Sequence, residues 1–195
     1  MNILYGGAFD PPTIAHLQII TYLLEKFPKD QLILLPTNNY YQKRKMESGS
    51  HRLEMLKILI KDLSETIILS DYELQLEAYH GTYHTLQYYQ HPLFVIGADA
   101  LKDVSKWIRS EDLVRENQFL VFPRNMIDIK KTIEKDLLLS AYASHFHIVE
   151  DFTETNISST AFRNKKMKKL VLPAIWRYIQ ENNLYEVNSC IRKDF

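Results

Sequence analysis

"GGAFDPPTIAH", residues 6–16, brings two glycines, an aspartate, two prolines and a histidine together within eleven positions. The stretch follows a short apolar run, so it reads as a strand end that turns into a helix. Gly6 and Gly7 permit φ > 0 and let another group approach the main chain closely. Pro11-Pro12 stiffens the entry to a helix starting near Thr13. A helix start presents unpaired N–H groups and the positive end of a dipole. Together these features make an anion site, ordinarily for phosphate. His16 stands about one turn into that helix and can reach back to the same spot. On these residues alone, a tight turn with a hydrogen-bonded helical histidine is the alternative. A second stretch, "ISSTAFR", runs from Ile157 to Arg163. Ser158 or Ser159 can cap a helix there. Arg163 follows one turn later, where its fork can clamp a phosphate. Its alternative is a capped helix with a surface arginine. Two anion-ready helix starts in one chain point to a phosphate-bearing ligand.

Such residues need a scaffold. Met1–Tyr5 reads as a buried strand that ends at the glycines. Ile14 to Phe27 carries Leu17, Ile20, Leu24 and Phe27 at helical spacing, and Pro28 stops the helix. Further strands are predicted at Leu32–Leu35, Ile67–Leu69, Leu93–Ile96, Gln118–Phe122 and Phe146–Val149. Helices are predicted after Ser50, carrying Leu53, Leu56, Ile60 and Leu63, and over Thr82–Tyr89. Asp99–Val114 reads as helical in two pieces, and Ile127–Tyr142 as a single helix. A short helix begins near Ser158, and a last one runs from Pro173 to about Asn182. Strands alternate with helices, and several strands are continuous apolar runs. That pattern predicts a Rossmann-like α/β fold: a doubly wound parallel sheet with helices on both faces. No internal repeat or flexible linker divides the chain. Residues 1–195 therefore read as a single domain, with the C-terminal helical part, about 157–187, packed on it. In such sheets ligands bind at the carboxyl ends of the strands, where the order switches.

Composition narrows the partners. The 195 residues are 46% hydrophobic, enough for a substantial core, and Lys+Arg and Asp+Glu both number 24. A net charge of zero argues against nucleic acid or a membrane surface as a partner. The lone Cys190 cannot form an internal disulfide or a cysteine-based zinc cluster. No signal-peptide pattern or bilayer-length apolar run is present. The expectation is a cytoplasmic protein with no metal site of its own.

At this point a resemblance becomes specific. "GGAFDPPTIAH" and "ISSTAFR" resemble the opening and closing motifs of the nicotinate and nicotinamide mononucleotide adenylyltransferases, within the nucleotidyltransferase superfamily. Between them, "PLFVIGADALKDVSKW" resembles the family's apolar strand, G-x-D and downstream tryptophan, here Gly97, Asp99 and Trp107. "TYHTL" resembles its pyridine-nucleotide segment, and "VLPAIWRYIQENNLY" its terminal helix. The likeness spans nearly the whole chain, in the family's order.

The resemblance implies transfer of the adenylyl group of ATP to a pyridine mononucleotide, with release of pyrophosphate. Nicotinate mononucleotide is the leading acceptor, giving the deamido dinucleotide of NAD biosynthesis. Nicotinamide mononucleotide, phosphopantetheine and a non-catalytic nucleotide-binding paralogue are the alternatives. By similarity, Gly6, Gly7, Ala8, Phe9, Thr13, His16, Gly97 and Asp99 would meet ATP. Ile157, Ser158, Ser159 and Arg163 would hold its β/γ end. Thr82, Tyr83, Thr85 and Trp107 would meet the pyridine nucleotide, with Trp107 stacked on the ring. His16, Lys43 and Arg163 would be catalytic, with Arg44 and Lys45 adjoining Lys43 as alternatives for the phosphate contact. Mg²⁺ would arrive with ATP, held mainly by phosphate oxygens and water. A homo-oligomer stays open. Three positions depart from the family pattern: Thr13 replaces a histidine, Ala15 a glycine, and His84 an aspartate. Thr13 implies a hydrogen bond rather than a proton at that position, and His84 bears on the choice between acid and amide.

Overall fold

The computed structural model describes residues 1–40, 45–155 and 157–187. The chain opens with β1 (Asn2–Gly7), α1 (Ile14–Lys26), β2 (Gln31–Pro36), α2 (Gly49–Ile60) and β3 (Ile67–Leu69). It continues through α3 (Thr82–Tyr88), β4 (Leu93–Gly97), α4 (Ala98–Leu101), α5 (Ser110–Glu116) and β5 (Phe119–Phe122). Then come α6 (Ile129–Lys135), α7 (Leu137–Ala141), β6 (Phe146–Ile148), α8 (Ser159–Lys165) and α9 (Pro173–Glu181). All strand pairs are parallel, in the order β3-β2-β1-β4-β5-β6. This is the doubly wound arrangement predicted from the apolar runs.

The two-residue period of each strand divides the core between the two faces of the sheet. Ile3, Tyr5, Leu32, Leu34, Val95 and Phe122 pack on one side with Ile20 and Leu23 of α1, Met55 and Leu56 of α2, Phe162 of α8 and Ile175 and Ile179 of α9. Leu4, Ile33, Leu35, Phe94, Ile96 and Val121 pack on the other with Leu86 of α3, Leu101 of α4, Leu113 of α5, Ile133 of α6 and Leu139 of α7. The last helices thus return to the layer of α1 and α2, beside the opening loop. No helix among the described residues is long and apolar enough to cross a membrane.

Three local expectations are corrected. The stretch predicted as one helix over 127–142 is two, because Asp136 adopts an extended conformation and its carboxylate accepts from Leu138 N and Leu139 N, capping a new start. The stretch over 99–114 has three pieces: α4, a 3₁₀ turn at Val104–Lys106, and α5, which opens after the left-handed Arg109. The helix expected after Ser50 begins at Gly49 under a Ser48 cap and ends before Leu63, which is exposed.

Candidate active site

β1 and β4 lie side by side, yet the chain leaves them in opposite directions along the sheet, so their carboxyl ends form the switch point. A cleft of about 250 Å³ opens there. It is lined by Gly6, Gly7 and Ala8 from the end of β1 and by Gly97 and Asp99 from the end of β4, with His16, Thr82, Thr85 and Trp107 closing it.

The glycines act through space rather than through φ. Neither Gly6 nor Gly7 holds a positive φ; both continue β1, and the left-handed residue is Phe9, at φ 46°. A Cβ on Gly7 would meet the Phe9 ring at 3.3 Å. Gly97 has the same kind of reason, since a Cβ there would sit 2.5 Å from Asp99 Oδ1. Asp99 can therefore fold back over the strand end, where it pairs with Arg124 at 3.4 Å.

His16 is the third residue of α1, and its ring reaches back to the helix start. Thr13 N–H donates to His16 Nδ1 at 2.9 Å, and Thr13 Oγ1 lies 2.9 Å from the same nitrogen. This is a capping box with an imidazole in place of the usual carboxylate or amide. The backbone donor makes Nδ1 an acceptor, so the neutral ring carries its proton on Nε2. Burial, aided by the Arg124 guanidinium, lowers the imidazole pKa to about 3. Thr13 is itself fully buried and is not among the cleft residues. Its role in the structure is to aim His16.

The serine motif meets the opening loop across the length of the chain. Ser158 Oγ caps α8 by accepting from Ala161 N at 3.0 Å. Ser159 Oγ donates to Pro11 O at 2.8 Å, and Arg163 donates to Asp10 O at 2.5 Å. The two stretches singled out in the sequence therefore sit against each other at one end of the sheet. Ser158, Ser159 and Arg163 lie beside the loop rather than on the cleft wall, and the Ile157 side chain packs on the core.

Comparison with known proteins points the same way. The model of the cytidylyltransferase-like family matches residues 4–165. A probable nicotinate-nucleotide adenylyltransferase of Acholeplasma laidlawii is 33% identical over 95% of this chain and 98% of its own. The chain belongs to this family. A second probable nicotinate-nucleotide adenylyltransferase, from Caldicellulosiruptor bescii, is 31% identical over 94% of this chain and 97% of its own. Among solved structures, the Plasmodium falciparum nicotinic acid mononucleotide adenylyltransferase complexed with NaAD matches with a TM-score of 0.80 at 25% identity, covering 96% of this chain and 98% of that one. A second structure of that enzyme, complexed with APC, gives a TM-score of 0.76 over the same shares.

Against the family pattern, the remaining motif residues fall into place unevenly. The Phe9 ring is buried against Tyr5 and His16, at centroid distances of 5.4 and 5.1 Å, so only its main chain can serve a nucleotide. Tyr83 is not among the cleft residues: its side chain is buried in the same layer as Leu86 and Leu113, and its hydroxyl donates to Glu116 at 2.8 Å. Lys43 and Arg44 lie outside the described residues, and Lys45 is exposed. His84 is exposed, with its ring 6.2 Å from that of His80, and is not among the cleft residues. That departure does not reshape the cleft wall.

The structure adds residues that the sequence reading missed. Arg124 places a guanidinium on the cleft wall just beyond β5. Its position was the available signal: Arg124 stands two residues past the end of β5, as Asp99 stands two past the end of β4. Glu73 also lines the cleft although it is only 4% exposed. It accepts from Thr85 Oγ1 at 2.7 Å and from Asn38 N at 3.1 Å, and burial raises its pKa above the usual carboxylate range. Thr85 spends its hydroxyl proton on Glu73, so its hydroxyl can offer a ligand only an acceptor.

Proposed function

We infer that the chain catalyses adenylylation of nicotinate mononucleotide by ATP, releasing pyrophosphate and forming the deamido dinucleotide of NAD biosynthesis. The observation that carries this is the meeting of the β1 end, His16, Asp99 and Trp107 in one cleft, with the Ser159–Arg163 helix docked on the adjoining loop.

An oxygen of the mononucleotide phosphate attacks the α-phosphorus of ATP. A new P–O bond forms as the bond from that phosphorus to the β-phosphate oxygen breaks, and pyrophosphate leaves. The nucleophile is already an anion, so no protein base is required. The protein's contribution is positioning and stabilisation of charge. Main-chain N–H groups of Ala8 and Phe9, just past the last ladder pair of β1 at Gly7, cradle the triphosphate. His16 donates Nε2–H to a phosphoryl oxygen. Arg163 and Arg124 supply the positive charge, Arg163 from the loop side and Arg124 from the cleft wall. Ser158 and Ser159 hold α8 in place for Arg163. Trp107 stacks on the pyridine ring, and the backbone of Thr82–Thr85 meets its substituent.

Mg²⁺ enters as part of the Mg·ATP substrate, coordinated by phosphate oxygens and water. The donor that suits that role is Asp99, the exposed carboxylate at the cleft, which can accept from water around the ion. Chelating Mg²⁺ with EDTA is expected to abolish pyrophosphate release.

The decisive experiment compares kcat/KM for nicotinate mononucleotide, nicotinamide mononucleotide and phosphopantetheine with Mg·ATP. The acid form is expected to be preferred. Absence of pyrophosphate with all three would overturn the reading. Trp107→Ala is expected to raise the KM for the mononucleotide roughly tenfold or more, the scale of one lost ring stack, with the KM for ATP little changed. Trp107→Phe is expected to retain most of the affinity.

A further inference from the structure

The helix α2 carries an arginine that its apolar pattern does not call for. Arg52 is fully buried. A guanidinium cannot lose its charge to suit its surroundings, so it must be met by acceptors. Its Nε–H donates to Glu47 O at 3.1 Å and one Nη to Ala8 O at 2.7 Å. The other Nη donates to Thr37 O at 2.8 Å and Asn39 Oδ1 at 2.7 Å. Three of these acceptors are main-chain carbonyls from two loops: Ala8 beyond β1, and Thr37 and Glu47 at the two ends of the connection between β2 and α2. Ala8 and Thr37 both line the cleft.

The contact with Ala8 orients a peptide. The Ala8–Phe9 bond is trans, and in a planar trans peptide the C=O and N–H point in opposite directions. With Ala8 O turned onto Arg52, the Phe9 N–H is turned away from it. Phe9 also holds a left-handed φ that a residue with a bulky side chain adopts only when its surroundings impose it. The fork of Arg52 supplies such a constraint, because its planar donors can grip several carbonyls at fixed angles where an ammonium cannot.

We propose that Arg52 is a positioning residue for ATP: without touching a reacting atom, it clamps Ala8 O and Thr37 O and so holds the Ala8–Phe9 main chain in its phosphate-binding orientation. This rests on the reading of residues 6–9 as the triphosphate cradle. Its test is steady-state kinetics of the full chain with Arg52→Lys and Arg52→Ala, alongside thermal melts and calorimetric titration with a non-hydrolysable ATP analogue. Pyrophosphate release by the unaltered protein is measured first, so failure of the underlying reading shows separately. Arg52→Lys is expected to raise the KM for ATP and weaken the analogue about tenfold, with the KM for nicotinate mononucleotide changed less than about twofold. Arg52→Ala is expected to lower kcat/KM for ATP about 10²-fold, the scale of one misdirected donor. Unchanged ATP parameters in both variants overturn the proposal. Equal losses for both substrates, tracking a lowered Tm, also overturn it. Failure of both variants to fold assigns Arg52 to stability alone and overturns it as well.

Discussion

His16→Ala is expected to lower kcat by about 10²–10³-fold, the scale of removing one donor aimed at developing charge. The KM for nicotinate mononucleotide should change little, because the loss falls on the reacting phosphates. The ring is fixed before substrate arrives. Thr13 holds Nδ1, Phe9 and Tyr5 lie against the imidazole at centroid distances of 5.1 and 6.3 Å, and Nε2–H is left as the donor. His16→Gln offers an amide N–H near the position of Nε2 and should recover part of the rate. With a pKa of about 3, the imidazole stays neutral from pH 5 to 8. The pH profiles of kcat/KM for the unaltered enzyme and His16→Gln should therefore share one shape. A shift between them in the acid limb would show that His16 titrates in the working range and would remove it as a neutral donor.

The same pKa carries a sign for stability. The unfolded chain protonates His16 near its ordinary value of 6.5, whereas the folded chain resists until about 3. Protons therefore favour the unfolded state within that window. The contribution is fully present above pH 6.5 and is lost as pH falls toward 3. Urea unfolding at a series of pH values should give a shallower decline for His16→Gln than for the unaltered protein.

Asp10→Ala is expected to destabilise the fold by about 3–5 kcal/mol, the range for breaking one side of a buried charged network. Asp10 is 1% exposed. Its carboxylate accepts from Tyr185 OH at 2.8 Å and Glu47 N at 3.2 Å, and stands 3.8 Å from Arg163. Alanine would remove the acceptor shared by three elements and leave their donors enclosed. For a chain of this size the corresponding fall in Tm is roughly 6–20 °C. Tyr185→Phe deletes one donor and keeps the ring packed on Phe162, so its cost should be nearer 1 kcal/mol. A melt of Asp10→Ala within a degree or two of the unaltered protein would show that the network contributes little.

The alternation of strands and helices, the parallel sheet and the place of the cleft were legible because they arise from local signals. Leu32–Leu35 and Phe119–Phe122 are apolar runs too short for helices, and each ends at a proline. Parallel strands joined by helices leave few arrangements, and the strand ends mark the cleft. His16 was legible because its partner, Thr13, is three residues away. Arg52, Asp10 with Tyr185, and Glu73 with Asn38 were not. Their partners lie in other elements or loops, up to 175 residues away, and nothing in a single sequence pairs them. A buried arginine in an amphipathic helix looks like any exposed one until the loops it holds are placed. The helix break at Asp136 was missed for a related reason: its neighbours favour helix, and only the aspartate's preference for capping divides them. The mistaken expectation at Gly6-Gly7 came from assigning glycine its conformational freedom where the fold uses its small size.

Ser159 reaches Pro11, and Tyr185 reaches Asp10. These links join the first and last portions of the polypeptide. A ribosome-bound chain that has not yet emitted Tyr185 lacks the bolt that holds Asp10, even when every strand has been made. Clipping the protein ahead of Leu184 is therefore expected to silence ATP consumption while leaving the central sheet largely intact, which activity and circular dichroism of the truncated protein would show.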